Sequence, residues 1–221
     1  KGATGCFVPG GGLAPGYISS VIGDVIRNSG DNPEITVYVG ALPAHKTNRL
    51  GYGNMWSIDG LITEYTNPCS AIISGAKTEL PALSEFETIS IDDHTFEAFT
   101  TAGSVDSLVE RLNGRVGGLV FKTLRYPGHL DYMKFLLDDL GLSKRLSTLK
   151  NLLQNGLPIT DNDQIVLGIT CRFQKPGESY TRRHEHTYFQ RVRSIRHNDG
   201  HCESALSRIT AAHCCSVADV L

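Results

Sequence analysis

The sequence predicts an α/β protein of the α+β kind: a mixed, largely antiparallel sheet with helices packed on one face. Three observations predict it. Asp92-Asp93-His94 separates two β-branched, alternating runs, a hairpin signal. Gln174-Lys175-Pro176-Gly177 separates two further strand-like runs. Helical periodicity fills the intervals, but without the regular strand–helix alternation of a parallel, doubly wound sheet.

In chain order, residues 5–16 hold five glycines and two prolines. They read as a loop whose backbone can approach a ligand closely, or else as a flexible leader. Pro15 can open a helix to about Arg27, with Ile18, Val21, Ile22, Val25 and Ile26 on one face. Residues 35–40 form a β-branched strand, and residues 41–52 a loop. Ser57 is a suitable N-cap for a helix over 58–65, with Glu64 in its last turn. Residues 70–74 read as a strand, 85–91 and 95–101 as the first hairpin, and 106–113 as a short helix. Residues 118–121 are a strand leading into Lys122-Thr123-Leu124-Arg125-Tyr126-Pro127-Gly128-His129. The spacing of Leu130, Met133, Leu136, Leu137 and Leu140 predicts a helix ending at Gly141. Another helix spans about 144–154. The second hairpin pairs 164–173 with 179–195, and a helix is expected from Glu203 to the end.

Composition bounds what such a chain does. Its 221 residues suffice for one domain that buries roughly 70% of its unfolded surface. The net charge of −2 argues against a nucleic-acid partner for the chain as a whole. No apolar run approaches the ~20 residues of a membrane helix, and the start is not patterned as a signal peptide. Six cysteines (Cys6, Cys69, Cys171, Cys202, Cys214 and Cys215) include no C-x-x-C pair, which excludes zinc-ribbon and thioredoxin motifs. Reduced, mostly buried thiols in a cytoplasmic protein are expected. The start at Lys1 and the apolar helical pattern at the C-terminus lead us to expect one domain of a longer protein.

Residues 122–129 concentrate cations where a strand should end and a helix begin. Pro127 restricts Tyr126 to extended backbone and suits a first helical turn. Amides at a helix start favour an anion, so the stretch reads as a carboxylate pocket or as a helix start with solvated basic residues. His184 and His186 would share one face of a strand, but no third ligand is evident, so we expect no metal site and read them as surface or interface histidines. Residues 172–196 hold six arginines against two glutamates, and a solvated or subunit-facing hairpin is expected over a nucleic-acid ribbon. Asp59 and Glu64 can act as general bases if buried, because burial raises a carboxyl pKa. Trp56, the only tryptophan, belongs to the core or to a ligand wall.

Five segments taken together carry a resemblance: Gly-Gly-Leu-Ala-Pro-Gly (11–16), Val-Gly-Ala-Leu-Pro (39–43), Trp-Ser-Ile-Asp-Gly-Leu-Ile-Thr-Glu-Tyr (56–65), Phe-Glu-Ala-Phe-Thr-Thr (96–101) and Lys-Thr-Leu-Arg-Tyr-Pro-Gly-His (122–129). In that order they resemble the catalytic domain of the saccharopine dehydrogenase family, nearest the branch of lysine 6-dehydrogenase and saccharopine reductase. The resemblance implies a sheet domain similar to the second domain of glyceraldehyde-phosphate and semialdehyde dehydrogenases. It also implies a homodimer, a small amino-acid substrate, and NAD or NADP held mostly by a Rossmann domain lying before this region. Residues 1–28 and 203–221 would border that domain.

In residue terms, the resemblance implies that Arg125 grips a substrate carboxylate in a two-pronged contact. Tyr126 would orient substrate beside it, with Trp56 and Ser57 on the same wall, and Lys122 would add positive charge. His129 or Asp59 is the expected base for the amine. Gly12, Leu13, Ala14, Pro15 and Gly16 are expected to close on the cofactor.

Overall fold

The computed structural model describes residues 12–175, 184–196, 202–203 and 205. Eight strands form one sheet: β1 (Asp31–Pro43), β2 (Cys69–Ile73), β3 (Ala76–Leu80), β4 (Glu87–Ile91), β5 (His94–Thr100), β6 (Gly118–Arg125), β7 (Asp163–Gln174) and β8 (His184–Arg193). The order is β3-β2-β6-β1-β7-β8, and the β4–β5 hairpin joins the edge of β6 beyond β2. β1 and β6 pair in parallel, and the other pairings of these strands are antiparallel. The mixed, largely antiparallel sheet is therefore present as predicted. Outside it, β9 (Ile195–Arg196) pairs with β10 (Cys202–Glu203).

Alternation along the central strands decides what each face carries. Ile35, Val37 and Val39 of β1 and Leu119 and Phe121 of β6 point to one face. There they pack against Ile18 and Ile22 of α1 (Tyr17–Asn28) and against Leu108 and Val109 of α3 (Asp106–Leu112). Phe99 lies opposite Thr123, on that same face, and anchors a second cluster. It is built from α2 (Ile58–Thr66), α4 (His129–Lys134) and α5 (Leu146–Gly156). The other face holds Tyr38, Phe96, Leu124, Tyr126 and Val166, and no described helix packs there.

Several expectations change. The strand leading into residues 122–129 ends at Arg125, just before Tyr126-Pro127 as expected, but Ala98 and Glu97 of β5 pair with Leu124 and Arg125 and so carry the cationic stretch into the sheet. Residues 122–125 are thus pleated, and their cations go to opposite faces. The helix begins at His129 rather than Pro127, behind Gly128 at φ 94. Helical spacing over 130–140 is broken by a π-helical turn, Phe135–Asp139, although Gly141 has the positive φ (62) suited to a helix end. β3 was not foreseen: Ala-Lys-Thr-Glu-Leu is an almost wholly exposed edge with no apolar alternation. Cys202–Glu203 is a strand where the sequence predicts a helix start. Ala205 is helical, and the rest of that predicted helix, residues 1–11 and residues 176–183, which hold the end of the predicted turn and the start of the predicted strand, lie outside the described residues, as do the side chains of His184 and His186.

Candidate functional site

A cavity of about 500 Å³ opens on the helix-bearing face of the sheet. Val39, Phe121, Thr123 and Arg125 form its floor, at the C-terminal ends of the parallel pair β1 and β6. Gly12, Leu13 and Ala14 form one wall. Met55, Trp56 and Glu64 form another, and Asp163 and Ile165 of β7 close the far side.

Arg125 is the cation on that floor, and it is only 2% exposed. Its Nε donates to Tyr65 Oη at 2.8 Å, and Nη1 donates to the Leu124 carbonyl at 2.9 Å. The guanidinium carbon stands 4.9 Å from the Tyr52 ring centroid and 5.7 Å from that of Tyr65. Aromatic faces stabilise the cation there without using its donors. A guanidinium keeps its charge even when buried, and a buried charge is costly unless it is paired. A carboxylate in the cavity would relieve that cost.

Behind Arg125 lies His129, fully buried. Its Nδ1 is 2.8 Å from the Leu50 carbonyl and its Nε2 is 2.9 Å from Tyr65 Oη. Burial, with the Arg125 charge adding to it, pushes the imidazole pKa down to about 3. His129 is therefore neutral and does not border the cavity. The structure does not support it as a base that touches substrate.

Glu64 takes the position expected of such a base. It sits in the last turn of α2 and lines the cavity with Arg125. Burial pushes its carboxyl up to about 7, partly opposed by the Arg125 charge. The Glu64 carbonyl accepts from the Ala102 amide at 2.9 Å, which ties this turn to the chain just after β5. Of the two acids in residues 56–65, burial selects Glu64 and not Asp59. Asp59 has a side chain 67% exposed, ion-paired with Lys150 at 2.7 Å, and does not line the cavity.

Other predicted residues divide by position. Gly12, Leu13, Ala14 and Trp56 line the cavity, whereas Pro15 and Gly16 lead into α1 and do not. Trp56 Nε1 donates to Tyr52 Oη at 2.6 Å, and the indole lies against Gly60, where a Cβ would stand 2.6 Å from Cζ3. Ser57 caps α2 by accepting from the Gly60 amide at 3.2 Å and stays outside the cavity. Tyr126 and Lys122 are on the opposite face of the sheet. Tyr126 Oη donates to the Pro43 carbonyl at 2.8 Å, and Lys122 Nζ pairs with Glu87 at 2.8 Å. The pleat of β6 separates both from Arg125.

Asp163, Thr123 and Ser104 also line the cavity and were not foreseen. Asp163 lies in Asp161-Asn162-Asp163, which reads as a turn, and nothing local marks it as a wall residue. Its Oδ1 accepts from the Ala205 amide at 3.0 Å. Among the described residues there is no group of three or more histidines, cysteines or acids placed to hold a metal.

The family model described as the saccharopine dehydrogenase C-terminal domain matches residues 12–221. Among solved structures, the chain is similar to apo histidine-tagged saccharopine dehydrogenase (L-Glu forming) from Saccharomyces cerevisiae. The TM-score is 0.65 at 17% identity, over 91% of this chain and 61% of that one. This chain therefore spans about three-fifths of the length of the enzyme it matches.

Proposed function

The chain belongs to the saccharopine dehydrogenase C-terminal domain family, and we propose that it is the substrate-binding part of an oxidoreductase acting on the C–N bond of an amino acid such as lysine or saccharopine. NAD or NADP would be the oxidant. The observation that carries this reading is Arg125, a buried guanidinium on the floor of a cavity that also holds Glu64.

Arg125 would hold the substrate carboxylate through charge-assisted hydrogen bonds, a contact worth roughly 1.5–3 kcal/mol. Glu64 would take the proton of the amine nitrogen, since a carboxyl near neutrality works as acid in one direction and base in the other. Leu13, Met55, Trp56 and Phe121 make the cavity wall largely apolar. A nicotinamide ring would lie against the Gly12–Ala14 wall. That ring, when bound, supplies the acceptor for hydride.

The test uses the full-length protein with L-lysine or saccharopine and either NAD or NADP, reading the absorbance of reduced nicotinamide. Amino-acid-dependent reduction is expected. Ligand binding with no turnover under any of these combinations would show a binding module instead.

A further inference from the structure

We infer that Tyr65 and His129 are positioning residues for Arg125, a buried relay that occupies its Nε–H from behind and so turns the remaining guanidinium donors toward the ligand. The inference rests on the reading of Arg125 as the carboxylate clamp.

The direction of the relay follows from what each atom can do. The Leu50 carbonyl can only accept, so His129 Nδ1 must carry the proton across that 2.8 Å contact. With the imidazole neutral, Nε2 has only a lone pair to offer. Tyr65 must then donate its hydroxyl proton to Nε2 over 2.9 Å. This leaves the phenol oxygen as acceptor toward Arg125, and Nε–H occupies it at 2.8 Å. Each polar atom has one role, and the roles run in one direction from a backbone carbonyl to the floor of the cavity.

Rings hold the relay in place. Phe99 stacks on the imidazole at 6.3 Å and 15°, while Tyr52 and Tyr65 meet it edge-on at 5.6 and 5.8 Å. Tyr52 also faces the guanidinium. Without the Tyr65 hydroxyl, Nε–H loses its partner in a dry site and the guanidinium is free to turn away from the cavity.

The experiment uses the full-length protein and compares Tyr65→Phe, Arg125→Lys, His129→Gln and His129→Asn. The expected result for Tyr65→Phe is a KM for the amino acid raised about tenfold, with kcat within about twofold and the cofactor KM unchanged. His129→Gln, whose amide oxygen falls near the Nε2 position, should keep most of the wild-type KM. His129→Asn, which reaches only toward Leu50, should behave like Tyr65→Phe. An unchanged KM in Tyr65→Phe, while Arg125→Lys raises it, would overturn the relay and leave the clamp standing. Absence of amino-acid turnover in the wild type would remove the clamp and the relay together. Independently of turnover, ¹⁵N spectra of the imidazole should show Nδ1 protonated and Nε2 bare, and the reverse tautomer would overturn the relay.

Discussion

Glu64 and Arg125 face one cavity, and burial acts on them differently. It leaves the guanidinium charged and lifts the carboxyl to about 7. If Glu64 takes the amine proton, amine oxidation should rise with pH through about 7, and the reverse reaction should fall. Glu64→Gln should abolish that limb in a pH–rate profile and lower kcat about 10²-fold or more. The same burial has a cost for folding. The folded-state pKa of Glu64 is raised from 4.5, so its stabilisation is complete below about 4.5 and is lost as pH rises to about 7. His129 has the opposite sign: its pKa is lowered from 6.5 to about 3, so its stabilisation is present above 6.5 and is lost as pH falls toward 3. The two slopes oppose each other between 4.5 and 6.5. Removing either group leaves the other's slope unopposed in this range, so the melting temperature of His129→Gln should fall more than that of wild type as pH rises from 4.5 to 6.5, and that of Glu64→Gln should fall more as pH drops across it.

Among the elements, β6 and α2 decide the site. Ser57 as the cap of α2 was legible from local chemistry, and Glu64 followed as a candidate acid in its last turn. Which of Asp59 and Glu64 is buried was not legible, because that depends on the side of α2 that meets the sheet. The cluster over 122–129 misled in one respect. Pro127 marked the end of the strand correctly, but the pairing of β6 with β5 is long-range and its pleat over residues 122–125 was not read. Lys122 and Tyr126 therefore leave the site that Arg125 enters. The π-helical turn is also invisible to a spacing rule, because its leucines repeat much as in an α-helix. Gly60 adds a test at this scale. A side chain there has no room beside the Trp56 ring, so Gly60→Ala should displace the indole into the cavity. Trp56 is the only tryptophan, so its fluorescence maximum should shift while the far-ultraviolet dichroism stays unchanged. An unshifted spectrum would mean that the indole does not rest on α2.

For the whole molecule, the mixed sheet and its helix-bearing face were predictable from two hairpin signals and the interspersed helices. The parallel β1–β6 contact was not, although it brings the floor of the cavity together. Four of the five short segments, far apart in sequence, contribute residues to this cavity, with the glycine loop, the α2 block and the end of β6 meeting at Arg125. The central claim is that Arg125 binds the substrate carboxylate. Its most direct test is kcat/KM for the amino acid in the full-length protein, wild type against Arg125→Ala and Arg125→Lys, with melting temperature as the control for folding. A charge-assisted contact of this kind predicts a loss of about ten- to hundredfold for Arg125→Ala, carried mainly by KM, and a smaller loss for Arg125→Lys. A folded Arg125→Ala variant with unchanged kcat/KM would contradict the account.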